Sequence, residues 1–446
     1  MIRVGFVNPS SDYLMDPFKG DPHTHFHILS ILDDTFQDKI ETCLIDLRGV
    51  KREFAIHHIP ECDIYLHSVY TLDYEEQKEI VKNLKISYPN STHIAGGPHV
   101  ATFMEESLRV FDSLIIGEGE KTIVQAINDH KNNELKPIYR RGEIIDINEY
   151  PHDKRHYIPT TSTARKNMMN LRRKPDYGEL LGTTVMFSRG CPYNCHFCAL
   201  AFSRKESPGI RFRSTNHVKE EISYLKQEYG IQGINLHDEI CFPLNQKRAI
   251  THLEAIGESD IIWRGQCRID GINSEIAKLA HESGCIALGL GLESVIQSSL
   301  NLINKQIQIE RAKETIRILK ENEIEVRLYM IIGLPGEPPD IVEKTWNFIK
   351  DMGPDMVSLS LFTVRPGTEV YNNPEKFGIK LVDMDWSKTM HMYGRYSDET
   401  PHLNFEYQSE TPLGTSLPSE QIIKNYLELQ KRLKDSQLGT ATPYKN

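Results

Sequence analysis

The 446-residue chain has no uninterrupted apolar run of about 18 residues, so it offers no transmembrane helix. It has no excess of positive charge either: 52 Lys+Arg against 62 Asp+Glu give a formal net charge of −10. That balance argues against duplex DNA or RNA as the main partner, because phosphate binding needs a cationic surplus, although a local basic groove is compatible with it. The opening residues, MIRVGFVNPSSD, lack the basic segment and long apolar stretch of a signal peptide. A cytoplasmic location, with no membrane and no nucleic acid as partner, is therefore expected. There is no internal repeat at a fixed period and no low-complexity tract. With 39% hydrophobic and 26% charged residues, the chain reads as an ordinary globular protein long enough for two or three cores. Its eight cysteines, Cys43, Cys62, Cys191, Cys195, Cys198, Cys241, Cys267 and Cys285, are an even number. In a reducing compartment an even count does not imply disulfides, and a tight cluster points to metal or redox chemistry.

Periodicity divides the chain. Across residues 1–132, short apolar runs at Arg3–Val7, Thr42–Asp46, Asp63–His67, Thr92–Ala95 and Ser113–Ile116 alternate with amphipathic stretches. Helices are expected near His27–Asp38, Tyr74–Lys85, Phe103–Phe111 and Glu120–His130. Strands alternating with helices imply a parallel, doubly wound sheet, which binds ligands at the carboxyl ends of its strands. Gly96-Gly97-Pro98 and Gly117-Glu118-Gly119 follow predicted strands, either as turn glycines or as backbone facing a ligand. Residues 133–180 lack a clean period and read as a linker. Six more strand–helix units occupy 181–365, with strands near Thr183–Phe187, Gly233–Leu236, Ile261–Gly265, Cys285–Gly289, Glu325–Ile331 and Met356–Leu361. Such a series suggests an open βα barrel with its active site at the C-terminal ends of the strands. Regularity fades over 366–446, a C-terminal extension holding one helix near Ser419–Leu433.

The chemistry starts after the first barrel strand, in Ser188-Arg-Gly-Cys191-Pro-Tyr-Asn-Cys195-His-Phe-Cys198. The spacing C-x3-C-x2-C puts three thiolates on one short loop. Three thiolates can hold three irons of a [4Fe–4S] cube and leave the fourth iron open. The alternative is a zinc site of the three cysteines and His196. Cys43, Cys62 and Cys285 lie in apolar strands, where cysteine packs as a small hydrophobe. Cys241 and Cys267 fall near strand ends, either buried or placed to donate a hydrogen to a substrate radical.

At these residues the sequence resembles the radical SAM enzymes. In that family the open iron chelates S-adenosylmethionine, and reductive cleavage releases a 5′-deoxyadenosyl radical. The resemblance implies Cys191, Cys195 and Cys198 as the cluster ligands, Phe197 against the adenine, and Glu239 of Asn-Leu-His237-Asp238-Glu239 as the partner of the methionine amino group. Further strand ends match: Trp263-Arg264-Gly265-Gln266-Cys267-Arg268, Gly289-Leu-Gly291-Leu-Glu293-Ser294 with Lys305, Arg327, Gly333-Leu-Pro-Gly336-Glu337, and Arg365-Pro-Gly-Thr-Glu369. From these, Gln266, Arg268, Glu293 and Arg327 are implied as cofactor-binding residues. Glu239, Glu293 and Arg327 are expected near strand ends, converging on one ligand that carries an ammonium and a carboxylate. Glu293 could instead stabilise the next helix, and the arginines could be rim ion pairs.

The series resembles the subgroup whose barrel follows a cobalamin-binding-type domain. The implied fold is α/β: an N-terminal Rossmann-like doubly wound sheet over 1–132, the 133–180 linker, a partial (βα)6 radical SAM barrel over 181–365 and a C-terminal extension. Cobalamin loops of the D-x-H-x-x-G kind ligate cobalt through the histidine. Here Asp21-Pro-His23-Thr-His-Phe26 is followed by Ser68-Val-Tyr70 and Gly96-Gly97 at similar spacing, which makes His23, Ser68, Gly96 and Gly97 candidate cobalamin residues. Phe26 stands where that loop has glycine, which puts the histidine-ligated mode in doubt. His23, His25 and His27 could alternatively line one side of an extended loop. The implied function is hydrogen abstraction from an unactivated carbon of a small-molecule substrate, for cobalamin-dependent C-methylation, with a one-electron donor such as a flavodoxin or ferredoxin. The alternatives are a cobalamin-free dehydratase, epimerase or cyclase in natural-product biosynthesis and, more remotely, a non-catalytic zinc scaffold.

Overall fold

Apolar runs in the first 140 residues form six strands: β1 (Ile2–Asn8), β2 (Ile40–Asp46), β3 (Ile64–Ser68), β4 (Thr92–Gly96), β5 (Ser113–Ile116) and β6 (Ile138–Arg140). All pair in parallel, in the order β2-β1-β3-β4-β5-β6. Phe6, Leu66 and Ile94 pack on one side against Leu29 and Leu32 of the helix His23–Phe36. Val7 and Tyr65 pack with Ile80 and Leu84 of the helix Tyr74–Ser87. Cover on both faces is why these strands read as continuous rather than alternating apolar runs. The strand order turns back between β1 and β3, so the ligand crevice of such a sheet opens at the ends of those two strands.

The structure, a computed structural model, describes residues 1–200, 209–389, 401–411 and 414–439. They divide into two compact units, Met1–Thr163 and the described residues from Ala164 onward. That division falls inside the stretch read as a linker. Its residues 138–140 add β6 to the first sheet, and Arg155 is fully buried in the first unit, ion-paired to Asp21 at 2.8 Å. A three-residue strand is too short to show a period. The helix expected at His27–Asp38 starts at His23, so the three histidines lie on helical turns rather than on an extended loop. In place of a helix over Phe103–Phe111 there are two short turns, Pro98–Thr102 and Met104–Ser107.

The second unit contains β7 (Gly182–Val185), β8 (Ser188–Gly190), β9 (Ile210–Phe212), β10 (Gly233–Leu236), β11 (Ile262–Arg268), β12 (Cys285–Glu293), β13 (Glu325–Ile332) and β14 (Met356–Leu361). Six of these form one parallel sheet in the order β14-β13-β12-β11-β10-β7, while β8 and β9 make a separate antiparallel ribbon. Each crossover is a helix, and Ser214, Asn245 and Asn273 accept the capping hydrogen bonds that start three of them. Val326, Leu328, Met330 and Ile332 of β13 are buried in the helix-facing core with Leu288 and Leu290 of β12. The alternate residues Arg327, Tyr329 and Ile331 are only half-buried and line the concave face. The last helix, Ser419–Asp435, adds Leu429 and Leu433 to the same core. Among the described residues no helix is long and apolar enough to cross a membrane.

The first unit buries imidazoles. His67 Nδ1 donates to Gln77 Oε1 at 2.7 Å and its Nε2 lies 3.1 Å from His93 Nδ1, while His25 lies 3.2 Å from the Val7 carbonyl. Burial pushes His25, His67 and His99 down to about 4, and His93 falls further. An unfolded histidine takes up its proton near pH 6.5, so between about 6.5 and 4 the unfolded chain binds more protons and stability falls as pH falls. At pH 5 the loss is about 2 kcal/mol per imidazole. Burial raises Asp73 to about 7 and also raises Glu76, and these two work in the opposite sense. Raised acids in the second unit, Asp238, Glu239 and Glu337, add to that opposing sense, so the histidine effect is read by difference. Between pH 7 and 5 the urea midpoint of His67→Gln is expected to fall less, or rise more, than that of the wild type, and an identical pH dependence in the two would contradict this account.

Candidate active site

The three-cysteine loop leaves β8 at Gly190, whose φ is +88°. A Cβ there would stand 2.5 Å from the Gly209 carbonyl oxygen at the base of β9, so only glycine lets the ribbon close beneath the loop. The loop is then pinned from the far side by the turn after the helix Gln297–Leu302. The His196 amide donates to the Ile303 carbonyl at 2.9 Å, and Asn304 Nδ2 donates to the Asn194 carbonyl at 2.7 Å. His196 Nδ1 meets the Leu302 carbonyl at 3.0 Å, and its ring stands edge-on to Phe377. This imidazole, needed as fourth ligand in the zinc alternative, is committed to the scaffold.

Arg268, the last residue of β11, ties the pieces together. It forks onto Asp270 at 3.0 Å twice, donates to the Lys305 carbonyl at 2.7 Å, and points Nη1 at Cys195 Sγ, 3.8 Å away. Its guanidinium carbon lies 3.5 Å from the centre of the Tyr193 ring. Lys305 is buried and paired to Glu293 at 2.8 Å. Burial works against its charge, but Glu293 and then Cys195 hold its pKa above the ordinary value. Arg365, after β14, is lowered by burial and feels the opposing charges of Cys198 and Glu293. Burial pushes the Cys198 thiol up to about 11. Three cations beside three thiols are what a tris-thiolate iron–sulfur cluster needs, since the ligands must be deprotonated in a site partly shut from water.

Glu293 ends β12 in the left-handed region at φ +69°, where the register with β13 shifts. A non-glycine residue there is strained by ~1–3 kcal/mol, held by the contacts around it. Gly291 makes room for the ion pair, because a Cβ on it would lie 2.7 Å from Glu293 Oε1 and 3.0 Å from Lys305 Nζ. Glu239 sits just past β10, open to water but walled in by the barrel mouth. That surrounding, with Asp238 adjacent, raises it to about 7, and its charge reaches Cys198. Phe197 packs into the cluster of Leu300, Ile303 and Leu334, with Lys305 Nζ 6.0 Å from its ring centre. Glu239, Glu293, Arg268 and Phe197 thus surround the cysteine loop.

Arg327 does not join them. It is the third residue of the eight in β13, and its guanidinium donates to the Asn170 carbonyl at 3.5 Å. The end of β13 lies five residues on, about 16 Å away at 3.3 Å per residue. Gln266 is two residues short of the end of β11. The sequence reading left Lys305, Arg365 and Tyr193 out of the site, although each stands in or beside a matched segment. Cys241 and Cys267 are buried in the helix-facing core, where they share a thiol hydrogen bond, so neither thiol lines the concave face.

In the first unit, Ser68 and Gly96 are register partners at the ends of β3 and β4. Gly97, at φ +104°, passes so close to Val69 that a Cβ would stand 2.8 Å from its carbonyl oxygen, a demand of backbone packing. Asp21 is paired with Arg155 at 2.8 Å. His23 is in the first helical turn, 9% exposed and 3.8 Å from Asp153, which also takes His27 at 2.8 Å. Burial would raise Asp153, but the two histidines outweigh it and hold the carboxylate below its usual range. Phe26 is fully buried against Tyr157 and Arg155. The D-x-H-x-x-F segment is therefore a packed helix start, and its residues do not fit a histidine-on-cobalt loop.

A parallel barrel left open at six strands, with three thiols and balancing cations at its mouth, defines a cofactor-dependent enzyme. Residues 185–349 match the family described as the Radical SAM superfamily. An uncharacterized methyltransferase of Pyrococcus horikoshii is 31% identical over 322 residues, 70% of this chain and 68% of that one. The anaerobic magnesium-protoporphyrin IX monomethyl ester cyclase of Cereibacter sphaeroides is 26% identical, over 80% of this chain and 59% of the relative. Among solved structures, the radical S-adenosylmethionine methyltransferase TsrM of Kitasatospora setae, with cobalamin and a [4Fe–4S] cluster bound, superposes with a TM-score of 0.64 at 16% identity. The match covers 86% of this chain and 81% of that one. The chain belongs to the radical SAM superfamily, and the cluster and S-adenosylmethionine are that family's cofactors.

Breaking the buried pair tests this arrangement. Lys305→Ala strands the Glu293 carboxylate and is expected to cost about 3–5 kcal/mol. Lys313→Ala, which removes an exposed pair with Glu310, is expected to stay within about 0.5 kcal/mol. Denaturant unfolding of both variants reads the difference directly.

Proposed function

We propose that this protein is a radical SAM C-methyltransferase acting on a small molecule, with cobalamin as methyl carrier. The observation that carries the radical part is the three-thiol loop held at the barrel mouth by Arg268, the 302–305 turn and Arg365. The methyl-transfer part is supported by the relative named a methyltransferase and by an N-terminal parallel sheet of the kind found in a cobalamin-containing neighbour.

Cys191, Cys195 and Cys198 would hold the cluster, and Glu239, Glu293, Arg268 and Phe197 would receive S-adenosylmethionine. Bound there, the cofactors supply reductive cleavage and a hydrogen-abstracting 5′-deoxyadenosyl radical. The protein contributes placement and charge. Glu239 and Glu293 offer carboxylates to an ammonium, and the cations offset the thiolates and a bound carboxylate. Phe197 gives an apolar face for a purine, and the buried Glu293–Lys305 pair fixes the strand end against which the ligand lies. Ser68, Gly96 and Gly97 stand at the edge of the first sheet where a cobalamin would rest, with His23 no part of its coordination. A one-electron donor such as a flavodoxin or ferredoxin, and a cytoplasmic location, go with this reading. The domain roles follow as 1–132 for cobalamin, 181–365 for radical chemistry, and 133–180 and 366–446 as connection and cap.

A second reading is cobalamin-free radical chemistry, such as a cyclisation. The buried Phe26 and the Asp21–Arg155 pair favour it, because they fill the place of a cobalamin loop, and one relative is named a cyclase.

Anaerobic reconstitution with iron, sulfide and cobalamin should load about four irons per chain and one cobalt. Replacing the three cysteines by alanine should reduce iron to background and abolish 5′-deoxyadenosine. Wild-type turnover should yield S-adenosylhomocysteine beside it. Iron without cobalt, and no S-adenosylhomocysteine, would select the cobalamin-free reading. His23→Ala should leave cobalamin retention and the cobalt spectrum unchanged.

A further inference from the structure

The concave face of the barrel is polar in a layered way. The register sets Arg268, Gly291, Tyr329 and Ser358 in one row across four strands, and Gln266, Gly289, Arg327 and Met356 in the next row down. Below them run Asn235, Arg264, Ala287 and Glu325. The top row meets the cysteine loop through Arg268, so the second row lies two residues, or about 6.6 Å, beneath it. In that second row Gln266 and Arg327 stand on either side of a glycine, two strand spacings or about 9.6 Å apart. Gly289 puts no side chain of β12 between them, and the Tyr329 ring of β13 packs over that glycine, its hydroxyl 2.5 Å from where a Cβ would stand.

The charge in this notch is not balanced. Arg327 has one long contact, to the Asn170 carbonyl, and its Nε is buried without a partner. Among the described residues no carboxylate is within ion-pair distance of it. Glu325, two residues away on the same face, is already taken by the Arg172 and Arg173 amides at 3.3 and 2.6 Å. A guanidinium on the concave face, with an amide two strands away in the same row and without its own counter-ion, is suited to receive an oxyanion.

We infer that Arg327, with Gln266, binds an anionic end group of the substrate, a carboxylate or a phosphate, on the concave face of the barrel. The inference rests on the radical SAM reading for where the reaction occurs and adds the class of molecule it acts on. The row order sets the direction: the anionic group lies deeper in the barrel than the row of Arg268, and the reacting carbon lies on its cysteine-loop side. Arg327 is thereby a specificity residue and not a ligand of the nucleoside cofactor.

The test titrates the anaerobically reconstituted protein with carboxyl-labelled propionate, inorganic phosphate and, as neutral control, propionamide, reading saturation by carbon and phosphorus relaxation. Saturable binding of propionate or phosphate, and none of propionamide, is expected; whichever anion binds tells carboxylate from phosphate. Arg327→Gln should weaken that binding roughly 10- to 100-fold, the size of a lost charged hydrogen-bond pair. Arg327→Lys, which keeps the stem and the charge, should weaken it less, and Gln266→Ala should weaken it as well. Should Arg327→Gln not fold, by near-UV circular dichroism, the other two variants carry the comparison. No saturable anion binding, equal binding of propionamide, or unchanged affinity in the folded variants would overturn the inference. Iron counted in the same samples separates this from the wider reading: an unloaded cluster refutes the radical chemistry, whereas a loaded cluster without anion binding refutes only the receptor.

Discussion

The grip of Arg268 on its surroundings is the constraint from which the active mouth is built. One side chain closes a fork on Asp270, bonds the Lys305 carbonyl, covers Tyr193 and faces Cys195. A planar guanidinium can do this because its donors radiate in one plane while its face stays free for an aromatic ring. A lysine has three donors on one nitrogen but neither the planar fork nor the flat face that this set of partners uses. Through Arg268 the end of β11, the 302–305 turn and the cysteine loop become one body, so the loop's position is inherited from the barrel and not from its own short sequence. The antiparallel closure of β8 on β9, possible only with glycine at 190, supplies the second anchor.

Much of the architecture is legible in the sequence because the two faces of each sheet leave different marks. Helices cover the first sheet on both faces and the barrel on its outer face, so runs such as residues 64–66 and 285–288 are apolar throughout and stand out. The six barrel strands emerge within a few residues of where the pattern puts them. What escapes is short or set by tertiary contact. Ile138–Arg140 is a strand because β5 offers it an edge. The start of the first helix at His23 has no side-chain cap to announce it, since Pro22 stands at the N-cap.

The site is legible to a different degree. The thiol spacing speaks through covalent sequence, since the three ligands are neighbours in the chain. Lys305 and Arg365 belong to the site through long-range packing, and no local rule ranks them above other cations; only the thiols they must neutralise do so. Arg327 shows the reverse case. A resemblance of motif order placed it with the cofactor ligands, whereas strand register sets it lower on the face. His23 is similar: the spacing of Asp21, His23, Ser68 and Gly96 imitates a cobalamin loop, yet Arg155, some 130 residues on, takes the aspartate and Phe26 fills the space.

The division of labour between the two faces of the barrel explains how so polar a lumen is tolerated. Stability comes from the outer side, where Leu288, Leu290, Val326 and Leu328 meet the helices at close to zero exposure. The inner side is thus free to carry a strained Glu293 and an unpaired Arg327. One is a left-handed glutamate and the other a guanidinium with a buried nitrogen that makes no hydrogen bond. Each would be a defect in an ordinary core. Both stand on the inner side of the barrel, where local rules yield more readily than in the packed outer core.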